Sequence, residues 1–136
     1  MKIVQGFTLP TQPIQYMIGT NAEAFVLGEI LTASSGVLTK AGVDSTGTQK
    51  YICMAAVTGA TGIANVPVIQ LRQDLQFEAT STATVAATLV GTAVTLDASA
   101  TTVTATTTNG VFVIDKTDGA TTNSKVVGHF SSLAAV

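Results

Sequence analysis

Charged side chains are scarce in this chain. Only 10% of its 136 residues are Asp, Glu, Lys or Arg, whereas 46% are hydrophobic. So few charges do little to keep copies of a protein apart, and we expect other copies or a partner to cover much of the surface. The six basic residues stand singly along the sequence, and the net charge is -2. Nucleic-acid binding requires clustered Lys and Arg, so the sequence predicts no nucleic-acid partner.

Cysteine and histidine are also nearly absent. Cys53 is the single cysteine, which excludes an intrachain disulfide and suits synthesis in a reducing cytoplasm. The one histidine, His129, lies in a strand-like run and is interpreted as a structural or surface residue. One Cys and one His cannot supply the common zinc sets, and Asp115 and Asp118 do not have the spacing of a calcium loop. The sequence therefore predicts no catalytic residue, no metal site and no cofactor.

Long hydrophobic runs are missing as well. No run approaches the 18 or so apolar residues of a membrane span, and Gln5, Pro10 and Gln12 interrupt the N-terminal stretch. We therefore predict neither a membrane span nor a signal peptide. The length suits one domain with a real core.

Threonine and short alternating segments are what the sequence has in abundance. Threonine is β-branched and suits strands, and turn residues separate the apolar segments at intervals of about ten residues. No amphipathic helix is convincing. The pattern predicts an all-β fold, a small β-sandwich or barrel of about nine short antiparallel strands.

Local signals predict particular hairpins. The predicted hairpins are 24–40 through Ser34-Ser35-Gly36, 65–79 through Arg72-Gln73-Asp74, and one at Asn109-Gly110 between 103–106 and 111–115. Because proline has no N–H to donate to a neighbouring strand, Pro67 indicates that the first strand of 65–79 either begins there or lies at an edge. The last strand is expected at 126–130, after a polar turn over 116–125.

Other positions have single expectations. Gly28 within a strand indicates a bulge or a close backbone approach. The apolar run 51–57 is expected to be a buried central strand in which Cys53 is a packed hydrophobe. Residues 94–98 are expected to form a further strand.

Residues 1–24 differ from the rest because they carry two prolines and isolated apolar residues without a sustained period. We interpret them as an extended N-terminal arm that becomes fixed against another surface, and residues 25–136 as a single β-rich domain. An ordinary first strand with frayed ends is the alternative.

Several segments together resemble a known family. These segments are 28–31 leading to 36–41, Tyr51–Ala55, Val66–Glu78, 94–97 running into 103–106, and Gly110–Ile114 ending at Val126–Phe130. Their order and spacing resemble the head decoration, or capsid cement, proteins of tailed bacteriophages, of the small β-tulip type. Where that family often ends its last strand in Gly-Arg-Phe, this chain has Gly128-His129-Phe130.

The resemblance implies a structural virion protein rather than an enzyme. It implies a homotrimer on the outer capsid surface of an HK97-type icosahedral head, where it clamps neighbouring subunits of the major capsid protein and stabilises the expanded shell. Within the arm, Phe7, Leu9, Ile14 and Tyr16 are our candidates for capsid-binding anchors, with the arm adding a strand to an exposed capsid edge.

A receptor- or glycan-binding module of a tail fibre, or of another adhesive virion protein, is the alternative function. Such a module would also be rich in threonine and strands. It usually displays aromatic and carboxylate clusters on its loops, and the loops 41–50 and 116–125 carry none.

Overall fold

The computed structural model describes residues 1–5, 14–20, 23–42, 48–57, 64–73 and 75–131. The fold is all-β, as expected from the sequence, and the described residues include a short 3-10 helix at Ala87–Leu89. In chain order the strands are β1 (Lys2–Gln5), β2 (Gln15–Gly19), β3 (Ile30–Ser34), β4 (Val37–Lys40), β5 (Lys50–Cys53), β6 (Ala64–Gln70), β7 (Gln76–Thr80), β8 (Ala93–Val94), β9 (Phe112–Thr117) and β10 (Lys125–Phe130).

The strands form two units. Five of them close into a barrel in the order β2-β4-β3-β5-β6, with β6 pairing back onto β2. The other five form an open antiparallel sheet in the order β1-β7-β10-β9-β8. The expectation of a small β-sandwich or barrel is therefore confirmed: one unit is a closed barrel, and it packs on an open sheet.

Two hydrophobic clusters hold these units together. The barrel interior is filled by Phe25, Leu31, Leu38, Cys53, Val66 and Val68. The second cluster lies between the units and joins the outward-facing Ile30, Ile52 and Ile69 of the barrel to the inner face of the sheet. On that face, the Phe130 ring meets the Phe77 and Phe112 rings edge to face, with centroids 5.5 and 5.3 Å apart. Such pairs add specific geometry to burial.

The hairpin of β3 and β4 forms as the sequence predicts. Ser34 pairs with Val37, and the two residues between them, Ser35 and Gly36, have φ of 52° and 79°. Two positive φ values define the type I′ turn that matches the twist of a two-residue hairpin. The last strand is also confirmed as β10, and it pairs with β9 across the polar turn.

The predicted hairpin at 65–79 is wrong. β6 belongs to the barrel and β7 to the open sheet, so the residues between them cross from one unit to the other. Leu71 and Leu75 on this crossover are both buried between the units. Alternation identifies which face of a strand is apolar, but it does not identify the strand's partner.

The predicted hairpin at Asn109-Gly110 is also wrong. Asn109 has a positive φ of 54°, but Gly110 does not, so the turn is not type I′. β9 pairs with β8 and β10, whereas Val103 forms isolated bridges with Ser81 and Leu96. The expected strand 94–98 is correspondingly reduced to β8 and the bridge at Leu96.

One pairing departs from the expected antiparallel pattern. β2 and β4 run parallel, with Ile18 opposite Val37 and Gly19 opposite Leu38, while the other pairs among the described strands are antiparallel. Pro67 lies inside β6 and not at its start, but the β5 ladder has ended at Val68. The expectation that Pro67 starts the strand or lies at an edge is therefore wrong, since β6 pairs with β2 and β5. Pro67 accepts from the Met54 N–H just past the end of β5 but has no N–H to complete that pair.

The N-terminal 24 residues contribute a strand to each unit. β1 pairs with β7, and β2 pairs with both β6 and β4. These two pieces are extended, and the strands that hold them belong to the same chain. Phe7 and Leu9 lie outside the described residues.

Gly28 makes the close backbone approach that its place in the sequence predicts. Its φ is 83°, and a Cβ there would come within 2.5 Å of the Met1 carbonyl oxygen. Only glycine combines that φ with that contact at no steric cost. The strand expected from residue 24 instead begins at Ile30, with Phe25 forming an isolated bridge to Val57. Cys53 is buried in β5, as predicted, but the buried strand expected over 51–57 ends at Cys53, and Ala55 and Ala56 are exposed.

Candidate functional site

An apolar stripe on the outer face of the barrel is the most exposed hydrophobic surface at the described strands. Along β2, Gly19 is buried and Met17 packs against the barrel interior. The side chains that alternate with them face outward: Ile14 is 51% exposed, Tyr16 71% and Ile18 40%. We call Ile14, Tyr16 and Ile18 the β2 stripe.

The neighbours of the β2 stripe are apolar or uncharged. Pro67 lies opposite Tyr16, while Val37 and Asn65 flank Ile18 on its two sides. No charged residue occurs in 14–20 or in 64–70. The outer face around β2 therefore offers contact area without a charge that a partner must match.

The stripe runs beside an open strand edge. The Pro67 carbonyl accepts a hydrogen bond from the Met54 N–H, 2.9 Å away on the β5 side, and proline has no N–H to donate. Tyr16, opposite Pro67, is therefore in a non-hydrogen-bonded pair with β6, and its own N–H and C=O point away from β6.

On that side of β2, the parallel partner β4 begins at Val37, opposite Ile18. Among the described residues, none pairs with Tyr16 from this side. A strand whose backbone groups are unpaired is a template for another strand, and proteins commonly guard such edges with lysine or proline. Here the edge carries neither.

The sequence found part of this site. Ile14 and Tyr16 were predicted to be anchors and lie side by side in the stripe, while Phe7 and Leu9 lie outside the described residues. Ile18 also lies in the stripe and was not among the predicted anchors. The sequence did contain a sign of this, because positions 14, 16 and 18 fall on the same face of a strand.

The histidine belongs to a polar cluster on the open sheet. The His129 Nδ1 lies 3.1 Å from Asp115 Oδ2, and the Gln76 Nε2 donates to the same oxygen over 3.1 Å. His129 and Asp115 are about one-third exposed, at 35% and 30%. The three side chains link β7, β9 and β10 across the outer face of the sheet.

The cysteine lies elsewhere, inside the barrel. The Cys53 thiol donates to the Ala55 carbonyl over 3.0 Å, and burial raises the pKa of that thiol. A reactive cysteine needs the opposite shift, because the thiolate is the nucleophile. The geometry therefore gives Cys53 a packing role.

Acidic residues in the described segments do not converge on a metal site. Within those segments no group of three or more His, Cys, Asp or Glu side chains could hold a metal ion. Asp118 uses its Oδ1 to accept from the backbone N–H groups of Ala120 and Lys125, both 3.0 Å away. It is a turn former.

Two lysines that are far apart in the sequence share a cavity. Lys2 and Lys125 line a space of about 310 Å³ beside β1 together with Thr101, Thr102 and Glu78. Because Glu78 lines the same cavity, the lining contains residues of both charges. The two lysines are close because β1 and β10 both pair with β7. Their distance apart in the sequence gave no sign of this proximity.

Comparison with protein-family models found no match, and comparison with curated proteins found none either. Among the residues that the structure describes, no helix has the length and hydrophobicity to cross a membrane.

Proposed function

We propose that this chain is a structural virion protein, a trimeric decoration or cement protein that binds the outer surface of a phage capsid and stabilises the expanded shell. The observation that carries the proposal is the uncharged β2 stripe beside an unguarded strand edge. A surface of this kind serves adhesion to another polypeptide, and it supplies no catalytic chemistry.

The side chains of the stripe provide affinity of limited size. Burying the exposed parts of Ile14, Tyr16 and Ile18 contributes roughly 2–5 kcal/mol per copy, from about 1.5–3 kcal/mol for each fully buried side chain. Association itself costs about 4–15 kcal/mol in lost freedom of motion. One copy therefore binds weakly through the stripe alone.

Backbone pairing and multivalency supply the remainder. A capsid strand that lies along β2 would accept from and donate to Tyr16, and apolar side chains of that strand would meet the stripe. A trimer offers three such contacts at once, so its avidity exceeds the single affinity by orders of magnitude. Because the trimer binds only the assembled shell, it stabilises that shell by mass action.

Co-sedimentation with empty expanded heads of the encoding phage, prepared without this chain, tests the proposal. We expect the wild-type protein to pellet with heads and the double variant Ile14→Thr/Tyr16→Thr to remain in solution, because threonine keeps strand propensity while removing apolar area. Val90→Thr is the matched control, since Val90 is 46% exposed but lies outside the barrel. Deleting residues 2–20 is not a clean test, because it removes β2 from the closed barrel.

Two further readings complete the experiment. Mass measurement in solution is expected to give a trimer for all three proteins, so that loss of binding is not loss of assembly. If wild-type protein ignores heads but binds glycans, the receptor-binding alternative replaces the proposal. If the double variant pellets as well as wild type, the stripe is not the capsid contact.

A further inference from the structure

Glu29 is a buried acid with an incomplete set of partners. It follows the turn at Leu27 and Gly28 and directly precedes β3, and its side chain is only 1% exposed. Its backbone is well held, since the Glu29 carbonyl accepts from the Cys53 N–H over 2.9 Å. Its carboxyl group accepts a hydrogen bond from the Val26 backbone N–H, but its oxygen Oε1 is buried and has no hydrogen-bond partner among the described residues.

The charges that face Glu29 do not compensate for this burial. Lys40, at the end of β4, favours the ionised carboxylate, while Glu23 opposes it, and the Cys53 thiol lies close enough to feel the Glu29 charge. Glu23 is itself engaged, since its carboxylate accepts from the Thr39 hydroxyl and the Lys40 N–H, both over 3.1 Å. Burial dominates and raises the pKa of Glu29 above its ordinary value.

Opening of the segment that carries Glu29 would have to break a few backbone hydrogen bonds. The Gly28 N–H donates to the Cys53 carbonyl over 2.8 Å, and the Met1 amino group donates to the Gly28 carbonyl over 3.0 Å. Phe25 is anchored to Val57 by two backbone hydrogen bonds of 2.8 and 2.9 Å, and β3 is fixed within the barrel from Ile30. Between these anchors Val26 and Leu27 are 44% and 66% exposed, so a movement of residues 26–29 uncovers little additional apolar surface. This leaves the Glu29 side chain as the main buried group of the segment.

We infer that Glu29 is a proton-controlled latch at this end of the barrel. With its carboxyl neutral, residues 26–29 lie closed over Cys53; when the carboxyl ionises, the side chain leaves for water and the segment opens. An acid whose pKa is raised in the closed form stabilises that form at low pH, and the contribution is lost as the pH rises through the raised value. Opening therefore increases with pH. This inference does not depend on the proposed capsid role.

Cys53 is a reporter that the protein already contains. It is the single cysteine, it is fully buried, and both its N–H and its C=O are hydrogen-bonded to the 28–29 backbone. A thiol reagent can reach it only when the latch or the whole barrel opens. The labelling rate with a pyridyl disulfide thus measures opening.

The decisive quantity is the ratio of labelling rates of wild-type protein and Glu29→Gln at each pH. The ratio cancels the titration of the thiol and of the reagent. We expect it to be constant at low pH and then to rise by up to about tenfold per pH unit between the ordinary and the raised pKa of Glu29, because one proton is lost on opening. Glu78→Gln, an exposed acid on β7, is the matched control and should label like wild type.

A ratio that is independent of pH overturns the latch, and so does a Glu78→Gln protein that behaves like Glu29→Gln. Amide hydrogen exchange of wild-type protein provides a measurement that needs no variant. The Cys53 N–H should exchange with a steeper pH dependence than the amides of β10 in the same sample. Equal pH dependence at both places would show global unfolding instead of a local latch.

Discussion

A pair of proline substitutions at adjacent residues tests the open edge of β2. Gln15 and Tyr16 are both exposed, and they differ in the direction of their backbone groups. Gln15 lies opposite Val68, in the hydrogen-bonded position of the β2–β6 ladder, whereas Tyr16 lies opposite Pro67 and points toward the open side. Gln15→Pro therefore removes a barrel hydrogen bond, and Tyr16→Pro removes an N–H that has no partner among the described residues.

The two variants share the restraint that proline places on φ, so this restraint cancels in the comparison. Gln15→Pro additionally leaves the Val68 carbonyl without its donor, which costs about 1–3 kcal/mol. We expect Gln15→Pro to be less stable than Tyr16→Pro by that amount. The corresponding difference in melting temperature is roughly 3–10 °C for a domain of this size.

Circular dichroism is the suitable assay, because the chain has no tryptophan and Tyr16 is one of only two tyrosines. Thermal and urea unfolding of both variants would be followed in the far ultraviolet, with Tyr16→Ala as a control for loss of the ring. Equal destabilisation by the two prolines, or greater destabilisation by Tyr16→Pro, would refute the assignment of the open edge. In the sedimentation experiment, Tyr16→Pro should bind heads more weakly than Tyr16→Ala if a capsid strand pairs at this edge.

Two further predictions concern stability. Burial lowers the pKa of Lys50 from 10.5 to about 8, so the folded protein should gain up to about 3 kcal/mol as the pH rises from about 8 to 10.5. Urea unfolding of wild-type protein and Lys50→Met at each pH measures this gain, which should be absent in the variant. Subtracting the two free energies of unfolding removes the opposing contribution of Cys53, which both proteins contain. Equal pH profiles of the two proteins would contradict the prediction. Gly28→Ala should cost about 1–3 kcal/mol, because it adds strain at φ 83° and a clash with Met1. Gly36→Ala has open space around its Cβ and is the matched control for φ alone. Equal urea midpoints for the two glycine variants would show that the Met1 contact costs nothing.

Hairpins whose turn chemistry is local were predictable. Ser35 and Gly36 specify a two-residue turn, so β3 and β4 pair with each other independently of the rest of the chain. The β9–β10 hairpin likewise follows from a polar turn between two apolar runs. Burial of β5 was predictable because an apolar run of strand length needs covering on both faces.

The candidate site was only partly predictable. The alternation of Ile14, Tyr16 and Ile18 was visible, but the same pattern could have faced a core. Which side of β2 is covered depends on β4 and β6, which lie later in the chain and are not adjacent to β2 in sequence. The open edge at Tyr16 depends in addition on Pro67 giving its carbonyl to Met54, a contact between two other strands.

By itself the sequence determined the fold class, because threonine-rich alternation and turn residues specify short strands. Only the tertiary structure decided that 65–70 belongs to the barrel and 76–80 to the open sheet. It also decided that β2 runs parallel to β4 and that Glu29 is buried without a full set of partners among the described residues. The physical reason is that side-chain alternation encodes which face of a strand is apolar, whereas strand partners are chosen by packing between segments distant in the chain.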